Sequence, residues 1–276
     1  MKHPGKFEGI VSAIAALLII LAAPAPAADD PEARTIMEAV DARDDGDRQT
    51  SDMEMVLIDR HGNRRVRKIR SFSMDRGEDV LRLMFFQHPA DVKDTGFLTY
   101  DYDQPEKDDD QWLYLPALRK TKRIASTDKS GSFMGSDLNY SDMTSRDLED
   151  YDFSFYDPAK KEMTVDGQKA WVILSVPRSR DVIDETGYRK SVLFVRQDNH
   201  FVIRTLNYEK KKGYAKYMQV MTLEEIEGIW VATGMQVTRK RGKQLVHQTL
   251  LNFNNVRFNQ EMDEDFFTIR RLEKGL

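Results

Sequence analysis

From residue 51 to residue 253 the chain reads as a succession of short β segments, most of them parted by tight turn signals, and this limits its fold more than any other feature. Residues 51–59 alternate Met53, Met55 and Leu57 with Asp52, Glu54, Val56 and Ile58. His61-Gly62-Asn63 then signals a hairpin turn, and residues 64–74 return as a strongly basic strand. Residues 80–87 form the next segment, ended by His88-Pro89, because proline cannot donate to a sheet ladder. Segments at 96–102 and 111–115 flank an acidic turn. Tyr151, Phe153 and Phe155 alternate with Asp152 and Ser154, and Asp166-Gly167 joins 162–165 to 168–176 with the strongest short hairpin signal. Five further segments run from 189 to 253. The pattern predicts about eleven strands in one antiparallel meander, and a sheet of that size must curl or close.

One helix precedes the strands. Ile36, Met37 and Val40 share a face within residues 33–43, Pro31 sits where a helix tolerates proline, and Asp45-Gly46-Asp47 ends the segment. Before it, Lys2 and Lys6, an apolar run at 10–23 and Ala25-Pro26-Ala27 read as a secretory leader cleaved after Ala27, leaving 28–276 as one domain. The apolar run falls short of the ~20 residues needed to span a bilayer. The chain has no cysteine, so an exported form would carry no disulfide and no lipid-acceptor thiol.

Composition excludes more than it assigns. A net charge of −4 argues against a general nucleic-acid binder. His61, His88 and His200 fall at predicted turns, and no histidine is spaced with a carboxylate or another histidine as metal ligands are. There is no Gly-x-Ser-x-Gly elbow, phosphate loop or cysteine nucleophile. No enzyme, metal or cofactor is expected.

A curved sheet with one helix and one long loop can fill its concave side in two ways. The helix and loop can plug it as an ordinary core, or cover a cavity that takes a ligand. The inward candidates are Met53, Met55, Leu57, Leu81, Leu83, Phe85, Trp112, Tyr114, Phe153, Phe155, Val172, Leu174 and Phe194. Methionine suits a surface that accepts variable apolar partners.

The run at 111–143 is the least ordinary stretch. An aromatic strand turns basic at Arg119, Lys120, Lys122 and Arg123 and ends in a loop holding Phe133, Met134, Gly135, Asp137, Tyr140 and Asp142. The basic cluster is either a solvated strand edge or a site for a lipid headgroup or partner, with Arg119, Lys120 and Arg123 as its candidates. Phe133 and Met134 are either a latch under the sheet or a contact with cargo.

The fragments Trp112-Leu113-Tyr114-Leu115-Pro116, Arg119-Lys120, Arg123-Ile124 and Phe133-Met134-Gly135-Ser136-Asp137, with Tyr140 and Asp142, resemble the LolA-like outer-membrane lipoprotein-sorting family. The likeness is to the branch found beside RND-type (MMPL) transporters of hydrophobic molecules. It implies a half-barrel sheet closed by helices around a cavity for acyl chains, without catalysis. It further implies a monomeric periplasmic carrier of a lipid or lipoprotein acyl chains, with an inner-membrane transporter as partner. A lipid-sensing module and a transporter adaptor without cargo are the alternatives. Residues 126–142 and the helix at 33–43 are the expected movable covers, with Gly131 and Gly135 giving the backbone freedom.

Overall fold

The computed structural model describes residues 29–104 and 107–276; the leader expected at 1–27 lies outside the described residues. Helix α1 (Pro31–Asp41) starts where the Asp30 side chain accepts hydrogen bonds from the Glu32 and Ala33 amides, and it buries Ala33, Ile36 and Met37. Strands β1 (Arg48–Asp59), β2 (Arg64–Arg76), β3 (Asp79–His88), β4 (Gly96–Asp101), β5 (Asp110–Leu115) and β6 (Lys120–Arg123) follow. A long segment with several 3-10 turns then leads to β7 (Tyr151–Phe155), β8 (Glu162–Val165) and β9 (Gln168–Pro177). After α2 (Arg180–Thr186) come β10 (Tyr188–Arg196), β11 (Val202–Glu209), β12 (Tyr214–Ile226), β13 (Ile229–Arg241) and β14 (Gln244–Arg257), and α3 (Ile269–Lys274) closes the chain.

All fourteen strands among the described residues belong to one sheet. The fold is mainly β, as the turn pattern predicts, with more strands than the eleven or so expected. Strand order departs from a simple meander, because β1 pairs antiparallel with β14. The sheet therefore runs from β6 back to β1, crosses to β14, and runs back again to β7. Residues 124–150 span the gap between the end strands β6 and β7. The hairpin between β8 and β9 turns through Asp166 (φ 50°) and Gly167 (φ 81°), the paired positive φ values that a two-residue loop requires.

Register fixes two faces. On the inner face, Met53 and Met55 pair with Phe253 and Leu251 of β14, and Ser51 pairs with Ser71. Phe133 and Leu138 of the long segment pack there, against Met53, Met55, Leu57, Phe86, Phe97 and Val237. Helix α1 covers the other end of the same face, over Tyr151, Phe153, Phe155, Ile173, Leu193 and Val195. On the outer face the C-terminal segment covers β2–β4, with Phe267 and Leu272 against Met74, Leu81, Leu83, Phe85 and Leu98. Gly96 permits this approach: a Cβ there would lie 2.5 Å from Leu272 Cδ1.

Candidate ligand cavity on the inner face

The inner face holds a cavity of about 270 Å³ lined by methionine. Met53 and Met55 come from β1, Met84 from β3, Met218 from β12, Met235 from β13 and Met143 from the long segment. Leu251, Phe253, Phe133 and Leu138 complete the apolar wall, and Ser51, Ser71 and Ser73 line it with hydroxyls. Unbranched thioether side chains repack at little cost, so such a wall adapts to differently shaped apolar guests.

A second cavity of about 280 Å³ lies beneath α1, lined by Met37, Val40, Phe153, Leu193 and Val202 with Leu148. Two polar contacts bring the long segment onto the sheet near these cavities. Arg82 of β3, which lines the methionine cavity, pairs with Asp101, and Asp101 also accepts from the Ser145 amide at 2.9 Å. Arg146 donates to Ser191 Oγ (3.2 Å) and Asn207 Oδ1 (3.3 Å). A larger cleft, about 1240 Å³, lies along the C-terminal segment, but it is open and lined by Arg48, Arg70, Arg257, Arg271 and acidic side chains. Its lining is mainly polar, which suits a hydrophobic guest poorly.

The segment over the methionine cavity is held by buried polar groups. Asp137 accepts from Thr249 Oγ1 at 2.7 Å and lies 2.7 Å from His247 Nδ1. Asp142 accepts from the Tyr188 hydroxyl (2.8 Å) and the Asn139 amide (2.7 Å). The Lys216 ammonium, almost fully buried, donates to Asn139 Oδ1 at 2.7 Å and lies 3.9 Å from Asp142. Burial pulls the Lys216 pKa down and pushes that of Tyr188 well up, the neighbouring Asp142 adding to the Tyr188 effect. Lys129, also buried, donates to Glu185 at 2.6 Å. Arg67 donates to the Met134 carbonyl, and Met134 and Gly135 take successive positive φ values of 50° and 75°. Gly131 is a close-packed position, since a Cβ would lie 2.9 Å from Asp128 O.

The predicted site residues divide between the two faces. Met53, Met55 and Leu57 belong to the inner cluster with Phe133, Met134 and Tyr140, and Phe153 and Phe155 lie under α1. Leu81, Leu83, Phe85, Trp112 and Tyr114 instead pack on the outer face with the C-terminal segment. Val172 and Leu174 alternate with inward Ile173 and so face outward, and Phe194 packs with Val165, Ala170 and Ile203. The reason is that β3 and β9 bury both faces, so alternation alone gives no phase. Met84, Met143, Met218, Met235, Leu251 and Phe253 were missed; the thirteen methionines of the chain were the available signal. Of the basic cluster, Arg123 pairs with Asp110 and Lys122 with Asp128, whereas Arg119 and Lys120 have no carboxylate partner among the described residues. The described residues hold no group of three or more His, Cys, Asp and Glu placed to bind a metal.

Known proteins share this architecture. A family model described only as a "-like" uncharacterized protein matches residues 78–274. A solved domain from Vibrio parahaemolyticus named for outer-membrane lipoprotein sorting is 29% identical, with a TM-score of 0.78 over 88% of this chain and 98% of its own. The chain belongs to the family of that model and has a LolA-like fold. A DUF1329 family protein from Desulfovibrio piger is also 29% identical, with a TM-score of 0.78 over 87% of this LolA-like chain and 98% of its own. A LolA superfamily protein from Nitrosomonas europaea, 14% identical, shares the fold with a TM-score of 0.65 over 87% of this chain and 98% of its own. No curated protein matches the sequence. No helix among the described residues of this LolA-like protein is long and apolar enough to cross a membrane.

Proposed function

We propose that this protein is a periplasmic carrier that shields a lipid, or an acyl chain of a lipoprotein, in the inner-face cavity and passes it between envelope components. The observation that carries this reading is the methionine-lined cavity under the 124–150 segment. At roughly 30 Å³ per water-sized group, its volume suits about nine methylenes. Withdrawing such a segment from water is worth about 0.8 kcal/mol per methylene, or roughly 7 kcal/mol. That is enough to hold a chain and little enough to release it. Met143 lines the methionine cavity and Leu148 the one under α1, so outward movement of residues 142–148 would open both together for longer cargo.

The cargo is an amphiphile with at least one hydrocarbon chain, and an RND-type inner-membrane transporter is the proposed partner. No step of this work needs catalysis. The buried polar ties on the segment favour a second reading, an adaptor subunit whose inner face stays closed. Titration with cis-parinaric acid, a fluorescent polyene fatty acid, separates the two. A carrier gives saturable fluorescence that vanishes when Met235→Trp fills the cavity, while a closed adaptor gives no saturable signal.

A further inference from the structure

The sheet is electrically polarised along its strands, which the net charge of −4 conceals. Register places the β1–β2 and β13–β14 turns at one end, since Asp59 pairs with His247. Antiparallel pairing brings the β11–β12 turn to the same end, where the Gly242 amide donates to Gly213 O at 2.9 Å. The β5–β6 connection, two hairpins beyond β2, also lies there.

These turns are crowded with cations. Lys210, Lys211 and Lys212 form one turn, Lys240, Arg241 and Lys243 the next, Arg60, Arg64 and Arg65 the third, and Arg119 and Lys120 the fourth. Lys210 pairs with Asp184; the others have no carboxylate partner among the described residues. Two exposed leucines stand among them, Leu118 at 63% and Leu245 at 44% exposure. The opposite end is acidic. Asp41, Asp45, Asp75, Glu78, Asp103 and Asp147 line a cleft of about 540 Å³ there.

We propose that the basic end is a docking surface for an anionic phospholipid bilayer. A surface built only for solubility intersperses both signs, whereas these four turns are strongly cationic, the carboxylates at this end lying to their sides in the β3–β4 connection (Asp91, Asp94) and in α2 (Asp181, Asp184, Glu185). Each cation near an anionic bilayer contributes about 1 kcal/mol, and the acidic end is repelled, so the field also orients the molecule. Leucines beside lysines and arginines match an interface that is anionic outside and apolar beneath. The cleft of about 370 Å³ beside these turns is lined by Glu209, Arg239, His247 and Asp137, groups already paired with one another, so the cations of the turns stand outside it. The apex of the 124–150 segment lies at this end too, where Asp137 meets His247, so docking would turn the apex toward the lipid. Docking of this kind needs no cargo in the inner cavity.

The test is co-sedimentation of the full chain with phosphatidylglycerol-rich vesicles and with phosphatidylcholine vesicles, at low and high salt. Binding to the anionic vesicles alone, reversed by salt, is expected. Combined Lys211→Glu, Lys212→Glu, Arg241→Glu and Lys243→Glu should weaken it by about fivefold or more per residue. Lys160→Glu with Arg270→Glu, exposed positions outside these turns, should leave it intact. Leu118→Ser with Leu245→Ser should weaken vesicle binding without changing retention on soluble polyglutamate. Equal binding to both vesicle types, or full binding by the four-fold variant, would overturn the proposal. Vesicle binding indifferent to both leucines, with polyglutamate competing fully, would instead assign the surface to an acidic protein.

Discussion

Asp137 Oδ2 and His247 Nδ1 lie 2.7 Å apart although 110 residues separate them in the chain. The contact ties the apex of the segment between the two end strands to β14, at the middle of the sheet. Asp137 is buried and also takes the Thr249 hydroxyl, so its loss strands two polar groups of β14. Asp137→Ala should cost about 2–3 kcal/mol. Amide hydrogen exchange should rise across residues 126–146 more than in the strands. Uniform loss of protection would make the segment part of the global core instead of a separable cover.

Lys216 is the second tie. Its replacement by Met removes a buried ammonium but leaves Asp142 with the Tyr188 hydroxyl and the Asn139 amide. Lys216→Met should cost about 2 kcal/mol, less than a fully orphaned partner would. It should also raise the rate, more than the amplitude, of parinaric acid binding, which stopped-flow fluorescence reads.

The two faces should respond oppositely. Met235→Trp on the inner face should abolish ligand binding with little loss of stability, because it fills space that is already empty. Leu83→Ala on the outer face, beneath Phe267 and Leu272, should cost about 3 kcal/mol in urea unfolding and leave binding unchanged.

Two carboxylates set a pH dependence. Burial, then Asp45 and Asp47, push Asp75 up to about 6; burial, then Asp109 and Asp150, do the same for Asp147. The folded protein therefore holds these protons more tightly than the unfolded chain, whose pKa is about 3.9. Stability from this source falls as pH rises from about 4 to about 6 and stays lost above that. Asp75→Asn and Asp147→Asn should each stabilise by about 1 kcal/mol at pH 7, after allowance for solvent screening. The gain should disappear below pH 4 in a series of thermal melts.

Much of this was legible in the residues, and the failures have a common physical cause. Alternation puts Met53 and Met55 on one face of β1 because their neighbours Asp52 and Glu54 mark the other, and the register keeps them together. In β3, Leu81, Leu83, Met84, Phe85 and Phe86 give no such contrast, since Phe267 and Leu272 cover the outer face from a part of the chain almost two hundred residues away. The same held for Val172 and Leu174 in β9. Strand order escaped too, because the β1–β14 pairing joins segments whose separation no local signal reports. The segregation of charge was visible as basic and acidic turns but needed the register to become a property of the two ends.

The central claim, that the methionine-lined face receives a hydrocarbon chain, is tested most directly by mass spectrometry of an organic extract of the protein purified from its own envelope. A lipid recovered near one per protein, and lost in the Met235→Trp variant, is the expected result. An extract without lipid, or a lipid retained equally by that variant, would contradict it.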